Sequence, residues 1–264
     1  MTPQYRPVKT AVLASILAVL CALIGSSPTS AASDNPTARG SMWSYRFITK
    51  AWNGNPARWN PCAPIDYKVN TRYANRGALS DTKRAVARVS ATTGLRFVYR
   101  GSTRVVPGSR HGDRYPSGID LVVAWAKPWQ SDALRRSPGA AGVGGVSWTT
   151  GYDRSGRTTP RIVQGRVILN ANVKLRGGFW SARGGSRGEL LMHEIGHAVG
   201  LTHPRQQDRW QIMYPTLTGK PALWGAGDRS GLWRVGRTRG CVYRSRPGTT
   251  MRATQSSTQS ATMR

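Results

Sequence analysis

Apolar and polar positions repeat along this chain with two different periods, and the switches between them outline its elements. In Asp66–Asn70, Tyr67 and Val69 fall on one side and polar residues on the other, the period-two pattern of a half-buried strand. Leu79–Thr92 changes to helical spacing: Ala85, Val86, Val89 and Ser90 recur, Ser80 or Asp81 can cap the start, and Gly94 can end it. Leu95–Arg100 returns to a strand pattern. Gly118–Ala126 is nearly continuously apolar (Ile119, Leu121, Val122, Val123), which predicts a strand buried on both faces. Ala140–Trp148 is broken by Gly142, Gly144 and Gly145, and glycine inside a strand predicts a bulge or a close backbone approach. Arg161–Asn170 supplies another strand through Ile162, Val163, Val167 and Ile168. A last helix opens near Gly227 and runs to about Val235. This order, with one more helix between the last two elements, predicts an α/β (α+β) fold, a twisted mixed sheet with helices packed on it, one of them C-terminal.

The remaining helix, after Ser186, carries the candidate chemistry. Ser186-Arg187-Gly188-Glu189 fits a capping box, with Ser186 as N-cap and Glu189 as its return partner. Leu190, Leu191, Ile195, Ala198 and Val199 give the helix apolar faces. Gly196 inside it costs about 1 kcal/mol against alanine, which predicts a segment packed closely there. Three of the chain's four histidines, His193, His197 and His203, fall within eleven residues, and Glu194 follows the first of them. His193 and His197 lie one turn apart on one face, so both imidazoles can reach one metal ion. At about 100° per residue a continued helix would turn His203 roughly 240° away from His197. The helix must therefore stop, and Gly200 sits where a left-handed residue could stop it. Three neutral imidazoles leave a fourth tetrahedral position open, the arrangement of catalytic zinc. Glu194 is then placed to act as general base. The bland alternative is a core helix whose histidines are merely buried and hydrogen-bonded.

Composition adds compartment and charge. Met1–Ala32 reads as a secretory signal peptide: Arg6 and Lys9 precede the apolar Ala11–Ile24, and Ser30-Ala31-Ala32 offers small residues for cleavage. The alternative is a membrane anchor, but the apolar run falls short of the ~20 residues that span a bilayer. Beyond the signal, two cysteines remain, Cys62 and Cys241, and an exported chain with two cysteines suggests one disulfide. The rival reading is a zinc-silencing thiol. Without Arg6 and Lys9 the chain carries 37 basic and 11 acidic residues, a formal +26. Such a charge draws a protein non-specifically to anionic polymers and surfaces. No helix-turn-helix, RNA-binding or zinc-finger signature accompanies it, so no specific nucleic acid is expected. Residues 33–61 read as an extended lead-in, 62–246 as one domain, and the Ser/Thr/Gln-rich 247–264 as a disordered tail.

His193 to His203 spells H-E-x-x-H-x-x-G-x-x-H, and Met213 follows in Ile212-Met213-Tyr214-Pro215. Together these resemble the metzincin zinc proteases. Ala91–Phe97, Ala140–Gly145 and Gly227–Leu232 are similar to the matrixin-type domains of secreted bacterial proteins. The resemblance implies zinc on His193, His197 and His203, Glu194 as base, and Met213 as the floor beneath the metal. It also implies a peptide laid antiparallel along an edge strand, Gly142, Val143, Gly144, Gly145 and Val146, whose glycines let the substrate backbone come close. Tyr214 and Pro215 would wall a side-chain pocket. Animal matrixins also bind calcium and a second zinc; here acids are scarce and His111 is the single histidine outside the motif, so neither is supported. The expectation is a secreted monomeric zinc endopeptidase, free of any stable membrane span and held near a cell wall by charge. The competing expectation is a non-catalytic wall- or polyanion-binding protein on the same scaffold.

Overall fold

The computed structural model describes residues 38–109, 114–205 and 207–247. The expected signal peptide, His111 and nearly all of the expected tail lie outside them. In chain order the elements are β1 (Arg46–Phe47), β2 (Ile65–Asn70), α1 (Ala78–Thr93), β3 (Phe97–Ser102), β4 (Leu121–Ala126), α2 (Asp132–Arg135), β5 (Gly142–Tyr152), β6 (Thr158–Asn170), α3 (Arg187–Ala198), β7 (Leu201–Thr202) and α4 (Ala226–Val235). Five strands form one mixed sheet in the order β3-β2-β4-β6-β5. The first four are parallel neighbours, and β5 closes one edge antiparallel to β6. The fold is α/β, as the pattern predicts. Among the described residues no helix is long and apolar enough to cross a membrane.

The main core lies between one sheet face and the helices. Ile65, Tyr67 and Val69 of β2 join Leu121, Val123 and Trp125 of β4 and Val167 and Leu169 of β6. Against them pack Ala85, Val86 and Val89 of α1 and Leu191 and Ile195 of α3. The other face is covered in part by a smaller cluster of Val106, Ala126, Leu134 and Ile168. Both faces of β4 are therefore buried, which is why its sequence is apolar without alternation.

Two helix starts differ from the sequence pattern. Helix α1 begins at Gly77, which is left-handed at φ 80°, and neither Ser80 nor Asp81 caps it. Asp81 instead turns to the start of α3, where its carboxylate pairs with Arg187 at 2.6 Å and accepts from Gly178 N at 2.9 Å. At α3, Ser186 Oγ accepts from Glu189 N at 3.1 Å, the expected cap. The return half of the box is absent: the Glu189 carboxylate accepts from Thr218 N and Oγ1 and Gly219 N, tying down the 218–219 turn.

The lead-in segment is a strap across the end of α3. Trp59 Nε1 donates to Ala198 O at 2.8 Å, and Ile48 N to Gly200 O at 2.8 Å. Strand β1 then pairs antiparallel with β7, Arg46 opposite Thr202. Cys62 and Cys241 form a disulfide with Cα atoms 5.5 Å apart, joining positions 179 residues distant in sequence.

Candidate metal centre

Helix α3 ends at Ala198, and Gly200 follows with φ 109°. A Cβ there would lie 2.6 Å from Ala57 O, so the strap as well as the backbone angle requires glycine. The reversal, followed by β7, brings His203 back over the helix. The three Nε2 atoms form a nearly equilateral triangle: His193–His203 3.1 Å, His193–His197 3.2 Å and His197–His203 3.2 Å. His193, His197 and His203 are thus gathered into one group able to hold a metal ion.

The outer nitrogens fix the tautomers. His193 Nδ1 donates to Ile212 O at 2.7 Å and His197 Nδ1 to Leu201 O at 2.9 Å. A carbonyl can only accept, so in these neutral rings Nε2 carries a lone pair. Lone pairs converging at such distances repel unless a cation lies between them. Tetrahedral zinc with Zn–N bonds of about 2.0–2.1 Å sets its ligand nitrogens about 3.3–3.4 Å apart, so the triangle fits such an ion with little adjustment. Burial holds the rings neutral as ligands must be. It pushes His193 down to about 3, helped by His197 and opposed by the Ile212 hydrogen bond. It pushes His197 down to about 4, and His203 is lowered by the same cause.

Glu194 is buried between α3 and β5. Burial pushes its carboxyl up to about 8, against a hydrogen bond from the Gly144 backbone. A Cβ on Gly142 would lie 2.8 Å from Glu194 Oε1, and one on Gly144 would lie 2.8 Å from His197 Cβ. These two glycines let the strand cross α3 at the centre, a duty distinct from admitting a ligand backbone. Gly145 faces the other way, where a Cβ would meet the Arg166 guanidinium at 3.1 Å. Val143 packs on the smaller cluster and Val146 on the main core. The strand bulges between Ser147 and Trp148 and forms the outer edge of the sheet.

Met213 lies under α3, fully buried, its Sδ where a Cβ on Gly196 would be. That is the close neighbour which the glycine in the helix predicts. Tyr214 is half-buried and donates to Gln207 Oε1 at 3.1 Å, and Pro215 is exposed beside it.

Sequence reasoning missed Asp228 and Gln211. Asp228 is buried in α4 and accepts from Ile212 N at 2.5 Å, Gly225 N at 3.1 Å and Met213 N at 3.2 Å. Its own N–H donates to Gln211 Oε1 at 2.8 Å. Burial pushes the carboxyl up and the three N–H donors pull it down, and the balance leaves it at about 7. The available signal was rarity: an acid at the start of the last helix, in a chain with 11 acids among 264 residues.

No protein-family model matches the sequence, and none of the curated proteins does. Among solved structures, one match is high choriolytic enzyme 1, a hatching enzyme zinc-protease from the medaka fish Oryzias latipes, at 17% identity and a TM-score of 0.26. The match covers 63% of this chain and 55% of that one, a likeness too slight to carry an argument about either fold or activity.

Proposed function

We propose that this protein is an exported, zinc-dependent endopeptidase of matrixin-like metzincin type. The observation that carries this reading is the convergence of three Nε2 atoms beside one buried carboxyl group, under the edge strand of a sheet. Zinc held by His193, His197 and His203 would supply Lewis-acid polarisation of a peptide carbonyl and of water, whose pKa it lowers to about 7. Glu194, its carboxyl raised by burial, suits both halves of a proton relay: as carboxylate it takes a proton from water, and as acid it returns that proton to the leaving amine nitrogen. Strand β5 offers its outer backbone edge to an extended peptide, in the manner of strand addition. Tyr214 and Pro215 would wall the neighbouring side-chain pocket.

The test is a peptide library incubated with purified protein. Cleavage that stops on chelation and returns with zinc, at one zinc per chain, is the expected result. Absence of bound zinc at neutral pH would end the reading. The formal charge of +28 favours one rival, a non-catalytic binder of anionic wall polymers. Salt-sensitive retention on such a polymer, with no zinc-dependent cleavage, would replace the enzyme by the binder.

A further inference from the structure

One peptide group links the buried carboxylate of α4 to the metal centre. The Ile212 carbonyl accepts from His193 Nδ1 at 2.7 Å, and the N–H of that same peptide unit, on Met213, donates to Asp228 Oδ1 at 3.2 Å. Asp228 Oδ2 holds the preceding N–H, on Ile212, at 2.5 Å. The line therefore runs from carboxylate to peptide N–H, through the amide to its carbonyl oxygen, and on to the imidazole. A carboxylate drawing on the N–H of an amide increases the electron density on its carbonyl oxygen, and hydrogen bonds chained in this way strengthen one another. A stronger acceptor at Nδ1 makes Nε2 of the same ring more basic, hence a better metal ligand.

We infer that Asp228 is a positioning residue for the metal centre, acting on His193 through the Ile212–Met213 peptide group. The inference rests on the reading of His193, His197 and His203 as a metal site. It separates the two helical histidines, which are otherwise equivalent in sequence. His197 Nδ1 donates to Leu201 O at 2.9 Å, in β7, whose backbone pairs with β1. The partner of His193 is backed by a carboxyl group, and that of His197 by a strand. The placement also gives α4 a part in the centre: Gly225 N, just before this helix, donates to the same carboxylate at 3.1 Å. The turn carrying Met213 is thereby held from behind by the group that addresses His193.

Two measurements test this. In the proton NMR spectrum of the wild-type protein, the His193 Nδ1–H should lie further downfield than that of His197. The reverse order would overturn the inference without any substitution being needed. Zinc affinity, measured by chelator competition on folded protein, should fall about ten- to a hundredfold in Asp228→Asn, the usual effect of losing an outer partner of a ligand. Gln211→Ala loosens the same turn but leaves the carboxylate, and should keep affinity close to that of the wild type. Equal losses in the two variants would make Asp228 a structural residue only. Wild-type protein that takes up no zinc would overturn the metal reading and this inference with it. Normal uptake by wild type and Asp228→Asn alike would overturn the inference alone.

Discussion

At the scale of single residues, Glu194→Gln and His197→Ala remove different things under the proposed function. The amide is nearly isosteric with the carboxylate, so Glu194→Gln should keep fold and zinc while losing the base, a loss of about 10²–10⁴-fold in turnover. His197→Ala takes away a ligand and should weaken zinc binding itself. Bound zinc and cleavage measured side by side in both variants decide the matter, and near-normal turnover by zinc-loaded Glu194→Gln would place the base elsewhere. The rings also predict a pH dependence in the metal-free protein. His193 and His197 stay neutral in the folded chain down to about 3 and about 4, from an ordinary value of 6.5. An unfolded chain takes up those protons near 6.5, so it binds more protons than the folded one in between. These two rings therefore make stability rise with pH across that window, and the contribution is lost as pH falls through the folded values. Denaturant unfolding of chelated wild type should have this slope, and His193→Gln should flatten it. The grouping of His193 with His197 was legible because a single helical turn separates them. The purpose of Gly142 and Gly144 was legible only as closeness to something; that the neighbours are Glu194 and His197 depends on how β5 crosses α3.

Between elements, the joint of α1 with α3 rests on Asp81 and Arg187, both buried, with Arg187 Nη2 also donating to Arg76 O at 3.1 Å. Removing one member of a buried pair leaves the other charge without its partner, so Asp81→Ala should cost about 3–5 kcal/mol. Loss of the Ser186 cap, by contrast, should cost about 1 kcal/mol. Chemical denaturation of both variants checks the ordering, and a cost for Asp81→Ala no larger than that of the cap would mean the pair is dispensable. The sequence offered Asp81 as a helix cap because a carboxylate near a helix start is the local solution. The tertiary solution won because Gly77 starts the helix unaided and Arg187 arrives from a distant segment. For the same reason the local pattern has Glu189 closing its own capping box, whereas in the fold it reaches forward to Thr218 and Gly219. Periodicity recovered the long elements to within a few residues. The two-residue strands β1 and β7 and the four-residue α2 are too short to carry a period.

Over the whole molecule, the Cys62–Cys241 bond ties together positions 179 residues apart in the sequence. The chain-entropy account gives about 5 kcal/mol for so long a loop. Reduction, or Cys62→Ser with Cys241→Ser, should therefore lower the denaturation midpoint markedly; a midpoint unchanged on reduction would mean that native packing alone closes the loop. That pairing was legible from the cysteine count. The strap was not, because polar, proline-punctuated sequence gives no hint of what it will lie against. Its contacts carry a kinetic consequence. Arg46 must find Thr202 and Trp59 must find Ala198, so the candidate metal centre is framed by contacts between segments far apart in the sequence. Pairings so distant in sequence slow folding, since the loop between them must close before they contribute. A chain emerging from its N-terminus presents the strap long before Leu201 and Thr202. Until Leu201 and Thr202 have appeared, Arg46 and Phe47 have no strand to pair with, although Arg58 can already meet Arg161, and the three histidines cannot be brought together before then.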